Sequence, residues 1–390
     1  MRIVVAPDSF KESMTAPQAA RAMAAGAREA LPSCEVDLIP VSDGGEGFAR
    51  AVTETWGASW HRVETVDALG RARTAGFGLD GGLDGGRAVV DLASSVGIEH
   101  IAAADRDAMR SSTAGLGHVL AAAADAGARS LLIGLGGSAS NDLGLGLLTA
   151  LGARCLDAHG QPVAPVPAAF SSIAAIETGP ARRRVEGIDL TVACDVTNPL
   201  TGPRGAAAVF GPQKGLTAAQ IEHLDAQASR LAALLEAGEW VTHPGTGAAG
   251  GTAFALAAVL GAGLVPGIDC LAQAVGLRRR IQDADLVLTG EGSLDAQSLE
   301  GKAVNGVVRL ARECAVPVII LAGRVDAGSC GRGCDGGGGS GHGLAGLAGL
   351  GAEAVIRISD PSVPLRHALA QGPQNLRRCT ARAVRRWAGA

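Results

Sequence analysis

The chain has no tyrosine, and phenylalanine and tryptophan together make up only 3% of its 390 residues. So sparse a set of rings argues against base stacking, and hence against single-stranded nucleic acid as a ligand. A net charge of −4 points the same way and offers no attraction for an anionic membrane surface. Several catalytic signatures are missing as well. There is no G-x-x-x-x-G-K-[ST] run, no clean G-x-G-x-x-G after the first strand-like segment, and no G-x-S-x-G. These absences argue against a Walker A site, a nicotinamide-binding turn and a hydrolase nucleophile elbow. The eight histidines form no H-x-x-x-H pair, and Cys330-x₃-Cys334 with His342 has only loose metal-ligand spacing. That last group lies in the low-complexity stretch Gly331–Gly343, which reads as a surface loop.

Lysine is the scarcest charged residue. Of 34 basic residues only Lys11, Lys214 and Lys302 are lysines. In a chain that otherwise uses arginine, they either mark places that need a compact, mobile ammonium or survive on the surface by chance. Eight dispersed cysteines, and a start that runs from Met1-Arg2 straight into the strand-like Ile3-Val4-Val5, lead us to expect reduced thiols in a cytoplasmic protein. Pro244 to Ile268 carries no charge and is long enough to span a membrane. Its Ala/Gly composition, with proline near both ends, reads instead as a closely packed buried helix.

The pattern predicts strands at Arg2–Ala6 and Val36–Val41, joined by a helix that Thr15 caps and Pro17 opens. Strand, helix, strand at this spacing is a right-handed parallel unit. Trp60–Val66, Arg73–Leu79 and Arg87–Leu92 read as a β meander. A helix at Ser112–Ala126, a strand from Leu131, a strand at Leu190–Ala193 and a helix at Ala218–Ala237 follow. Strand and helix alternate again from Ala284–Thr289 through Val304–Cys314, Pro317–Ala322 and Ala354–Ile358, with a last helix from Pro364 onward. The expected fold is α/β. A Rossmann-like parallel-sheet domain is built from residues 1–60 and 280–390, and a second α/β domain, 61–279, is inserted.

Strand ends in such sheets are where ligands bind. Here several of them carry acids: Asp8, Asp43 with Glu46, Asp142, Asp195, and Glu291 with Asp295. The run Leu131–Asp142 breaks from apolar residues into Gly134-Leu135-Gly136-Gly137-Ser138-Ala139-Ser140-Asn141-Asp142, either an anion-binding loop or a crowded strand-to-helix turn. Glycine-rich cradles, a few lysines and surplus carboxylates are the ingredients of phosphoryl transfer. Taken singly, a polar loop with one aspartate is equally a helix cap or Asx-turn.

Together the motifs Ala6–Ser13, Ser42–Gly47, Gly134–Asp142, Ala193–Leu200, Phe210–Gly215 and Thr289–Gly292 with Asp295 and Gln297 resemble signatures of the bacterial glycerate kinase family, type I. The resemblance implies two α/β domains enclosing a cleft and ATP-dependent, Mg²⁺-assisted phosphorylation of D-glycerate, typically to 2-phosphoglycerate. It implies small-molecule partners only, neither nucleic acid nor membrane, in a monomer or homodimer. Residue chemistry at the matching positions assigns Lys11 and Lys214, with Lys302 as a third, to charge compensation. Asp195 is the candidate general base, and Asp43, Glu46 and Glu291 are candidate Mg²⁺ ligands. Gly136, Gly137 and Ser138 are expected to offer backbone anion contacts. Asp8, Ser9, Gly44, Gly45, Asn141, Asp142, Thr197, Asn198, Gln213 and Asp295 complete the expected substrate and phosphate contacts. Three positions depart from the family pattern: Leu143 for a glycine, Ser293 for an arginine that Arg324 could replace, and Thr246 for an alanine. Two alternatives stay open. One is a kinase of the same family that gives 3-phosphoglycerate or acts on another small hydroxy acid; the other is a non-catalytic sensor on a kinase scaffold.

Overall fold

The computed structural model describes residues 1–42, 44–45, 47–81, 86–294, 303–325 and 352–389. Strands in chain order are β1 (Arg2–Val5), β2 (Glu35–Leu38), β3 (Ser59–Val66), β4 (Ala72–Asp80), β5 (Gly86–Asp91), β6 (Ala128–Gly134) and β7 (Arg154–Leu156). After them come β8 (Ala175–Glu177), β9 (Asp189–Ala193), β10 (Gly263–Val265), β11 (Leu286–Leu294), β12 (Val318–Val325) and β13 (Ala354–Arg357). Contacts divide the chain into a terminal unit, Met1–Ser42 with Ile268–Ala390, and a central unit, Asp43–Gly267. The two divisions fall at 42/43 and 267/268, against the expected 60/61 and 279/280.

The terminal unit is a fully parallel sheet in the order β13-β12-β11-β1-β2. Its inner strands carry continuous apolar runs, Ile3–Val5, Leu286–Leu288 and Val318–Leu321, because helices cover both faces of such a sheet, while the edge strand β2 is only partly buried. Ile3, Val5, Leu286, Leu288, Ile319 and Leu321 meet Met23, Leu376 and Val384 from the helices Ala16–Ala30 and Gly372–Trp387 in one core. The first of these helices starts as predicted. Thr15 accepts from the Gln18 backbone N–H, and the Gln18 side chain accepts from the Thr15 N–H, forming a capping box. Two expectations change. β11 runs on to Leu294, so Gly290–Ser293 is strand rather than loop, because β12 extends to Val325 and pairs with it residue for residue. The final helix is two, Leu365–Ala370 and Gly372–Trp387, broken where Pro373 opens the second.

The central unit is a mixed sheet, β10-β9-β6-β5-β4-β3. Its first four strands are parallel; β5, β4 and β3 form the antiparallel meander read from the sequence. Its core runs from Val90, Ile133 and Val192 on the sheet to Leu116, Phe170 and Phe254 beneath the helices. The uncharged stretch after Pro244 is not one helix. Ala249, Gly250 and Gly251 all have positive φ (52°, 66° and 87°), so the helix Ala248–Phe254 begins in a left-handed kink. A π turn, Ala255–Val259, and β10 follow. Among the described residues no helix is long and apolar enough to cross a membrane.

Candidate active site

In the terminal unit the carboxyl ends of β1 and β11 lie side by side. The Asp8 N–H donates to the Gly290 carbonyl (2.9 Å), and the Asp8 carboxylate accepts from the Ser9 N–H (2.6 Å). The chain then folds into a tight turn, with Phe10 and Met14 bridged and Glu12 at φ 63°. That turn leaves Lys11 exposed and brings its backbone against Gly292. Glu291, on β11, is only 9% exposed. Asp8, Ser9, Lys11 and Glu291 therefore share one sheet edge. The parallel register places Arg324 of β12 directly beside Ser293 of β11, both exposed.

In the central unit the loop after β6 is held on three sides. The Gly136 N–H donates to the Gly44 carbonyl (2.9 Å), and a Cβ at Gly136 would lie 2.4 Å from the Gly45 Cα, so only glycine fits there. The Gly137 carbonyl accepts from the Ile98 N–H, and the Ala139 N–H donates to Val96. Ser138 Oγ accepts from the Ser140 N–H at 3.0 Å. Of the three expected anion contacts, Gly136 is half-buried with its N–H engaged, Gly137 is exposed and Ser138 is buried.

Buried charges follow. Lys214, 3% exposed, donates from Nζ to the Ser140 carbonyl (2.6 Å). Burial pushes its pKa down to about 8, opposed by the charge of Asp142. Asp142 is fully buried and accepts from the Thr113 N–H and hydroxyl and from the Gly144 and Gly146 N–H groups. Burial raises its pKa against those hydrogen bonds. It joins the starts of the helices Ala114–Asp125 and Leu145–Ala150, the capping reading of that aspartate. Asn141 is 2% exposed, and its Oδ1 has no hydrogen-bond partner among the described residues. Leu143 sits at φ 55° with its side chain buried and its N–H on the Gly250 carbonyl.

β9 runs beside β6, which sets the loop after Ala193 next to the loop after Gly134. Half-buried Asp195 accepts there from the Gly267 N–H (2.7 Å). Asn198 uses its amide on the Arg204 carbonyl, while Thr197 and Gln213 are exposed. The central unit thus gathers Gly44, Gly45, Gly136–Asn141, Lys214 and Asp195 at one sheet edge. Asp43, Glu46, Asp295 and Lys302 lie outside the described residues. Asp91, at the end of β5, was not singled out. Its carboxylate accepts from the Ala49 and Ser94 N–H groups, and the run Val89-Val90-Asp91 repeats the acid-ended strand that flagged the others.

Parallel sheets whose carboxyl ends collect acids, lysines and glycine turns define the class: an α/β enzyme that handles anionic substrates. The glycerate kinase family model matches residues 3–388, and the chain belongs to that family of phosphotransferases with an alcohol group as acceptor. It is 42% identical over 328 residues to the glycerate kinase of Bacillus subtilis (strain 168), covering 83% of this chain and 85% of that one. With the glycerate 2-kinase of Escherichia coli (strain K12) the identity is 40% over 327 residues, covering 83% and 85%. A crystal structure assigned as glycerate kinase 2 from Salmonella typhimurium LT2 superposes with a TM-score of 0.83 at 36% identity, covering 100% of this chain and 98% of that one.

Proposed function

We propose that this kinase transfers the γ-phosphoryl group of ATP to the 2-hydroxyl of D-glycerate, giving 2-phosphoglycerate and ADP. The observation that carries the reading is Lys214, a buried ammonium fixed on the Ser140 carbonyl within the glycine-serine loop after β6. A cation in so dry a place acts strongly on the negative charge that spreads over the transferring group. The hydroxyl oxygen forms the new P–O bond as the bond to the β-phosphate bridge breaks, and Asp195 takes the hydroxyl proton. The Gly267 N–H on one of its carboxylate oxygens orients that base. Asn141 Oδ1 is an acceptor left for a substrate hydroxyl, and Lys11 offsets phosphate or carboxylate charge. Bound Mg²⁺ supplies neutralisation of phosphate oxygens. Glu291 is a hard carboxylate of the kind this ion takes, and Asp43 and Glu46 are the other carboxylates we assign to metal binding. Arg324, beside Ser293, takes the anion contact that an arginine at 293 would make.

A coupled ADP-release assay with NMR of the product tests this. D-glycerate should give 2-phosphoglycerate, whereas 3-phosphoglycerate would overturn the regiochemistry. Asp195→Asn should lower kcat at least a hundredfold, and unchanged turnover removes it as base. Arg324→Ala should raise KM for glycerate about tenfold with little change in kcat. Ser293 is the residue that favours another small hydroxy acid, which faster turnover of a related acid would establish. Glycerate binding without any turnover would favour the sensor.

A further inference from the structure

The central unit holds a second concentration of positive charge, outside the residues given roles above. β4 pairs with β5 only from Gly78 onward, so its first residues and the facing part of β3 run past the end of β5. This overhang, the start of the helix Phe48–Trp56 and the segment after Asp91 enclose a cavity of about 440 Å³. Arg50, Arg62, Arg73 and His100 line it, against the single carboxylate of Asp91. Asp91 is 2% exposed and already accepts from two backbone N–H groups, at 2.9 Å each.

The three arginines are held differently. Arg73 is fixed: its Nε donates to the Ser94 carbonyl (2.7 Å), and its Nη2 lies 2.7 Å from His100 Nε2. That same Nε2 is 2.8 Å from the Ala93 carbonyl. One imidazole nitrogen can donate to the carbonyl or accept from the arginine, not both. Arg50 lies over the Trp60 ring, 3.6 Å from its centroid, a contact that uses the guanidinium face rather than its N–H edge. Arg62 is exposed and forms no hydrogen bond or ion pair with any described residue. Guanidinium forks converging on a cavity match oxyanions in bidentate fashion.

We propose that this cavity binds a small polyanion, phosphorylated or polycarboxylic, with Arg50 and Arg62 as its charge partners and Arg73 as a fixed donor. The site goes beyond the kinase reading, since none of its arginines is assigned to phosphoryl transfer. Asp91 also holds the Ala49 N–H, five residues along the chain from Gly44, so the bound anion sits beside the segment that contacts Gly136.

The test titrates the full chain, without ATP, glycerate or Mg²⁺, with inorganic pyrophosphate and separately with citrate. Calorimetry and the emission of Trp60 are the readouts, with Trp60→Phe identifying its share. Saturable binding of pyrophosphate alone assigns a phosphorylated ligand, and of citrate alone a polycarboxylate. Arg62→Gln and Arg50→Gln should each weaken that binding at least tenfold, while Arg62→Gln leaves kinase turnover within twofold. No saturable binding of either ion overturns the proposal, as does binding that both variants leave within twofold. A tenfold loss of turnover in Arg62→Gln would place that residue in the reaction and overturn the assignment of a separate site.

Discussion

Lys11 and Lys214 both stand near the carboxyl ends of parallel strands, each in its own unit, yet they live in opposite surroundings. In the terminal unit the ammonium is exposed on a tight turn, beside strands that need nothing from it. In the central unit it is buried against a carbonyl, and the nearby aspartate is spent on four hydrogen bonds. The difference separates an exposed charge that carries no hydrogen bond of the fold from buried charges that hold up the loop. Residues of the second kind cannot be changed for activity without changing stability.

The comparison breaks most visibly at Asp142. Asp142→Ala leaves three backbone N–H groups and a hydroxyl without their acceptor, at about 1–3 kcal/mol for each buried orphan. Urea unfolding should show a loss of at least about 3 kcal/mol. Lys11→Ala should do the reverse, with stability within about 0.5 kcal/mol of the parent and kcat down about a hundredfold. If Lys11→Ala costs stability on the scale of Asp142→Ala, the contrast fails.

Lys214 sharpens it through pH. Its pKa of about 8 lies below the ordinary 10.5, so between those values the unfolded chain holds a proton that the native chain lacks. Its contribution to stability therefore rises as pH climbs from about 8 to about 10.5. The thiols of buried Cys155 and half-buried Cys194, pushed up to about 11 by desolvation, act in the opposite sense, and the absence of tyrosine clears the window of phenols. The measurable quantity is the difference between parent and Lys214→Met. The parent should gain on the variant as pH rises, and its turnover should fall on an alkaline limb near pH 8. The smallest effect belongs to Leu143. Its left-handed backbone costs about 1 kcal/mol, which glycine avoids and alanine does not. Both lose the buried side chain, so Leu143→Gly should melt above Leu143→Ala.

Much of this was legible in the sequence wherever one local rule decided the outcome. Thr15 and Pro17 announced the start of the first helix, the alternating segments announced the meander, and acids after apolar runs announced the sheet edges. What escaped depended on partners far along the chain. Gly290–Ser293 reads as loop until β12 supplies a neighbour for each residue. The run after Pro244 reads as a helix until Gly250 and Gly251 press on Ser140–Leu143 and take positive φ. Nor could the sequence say which strand-end acids are consumed by their own backbone. Asp142 and Asp195 read alike on paper, yet Asp142 is fully buried under four hydrogen bonds while Asp195 stays half-buried.

Thr113 and Asp142 share a further property. Asp142 bonds the amides of Thr113, Gly144 and Gly146, and the Thr113 hydroxyl accepts from the Leu147 amide. One carboxylate and one hydroxyl thus close the first turns of two helices that start 31 residues apart, at Ala114 and Leu145. Neither helix can fray at its start without releasing the other. In native-state hydrogen exchange these four amides should open as a single cooperative unit, more slowly than their places at helix ends imply.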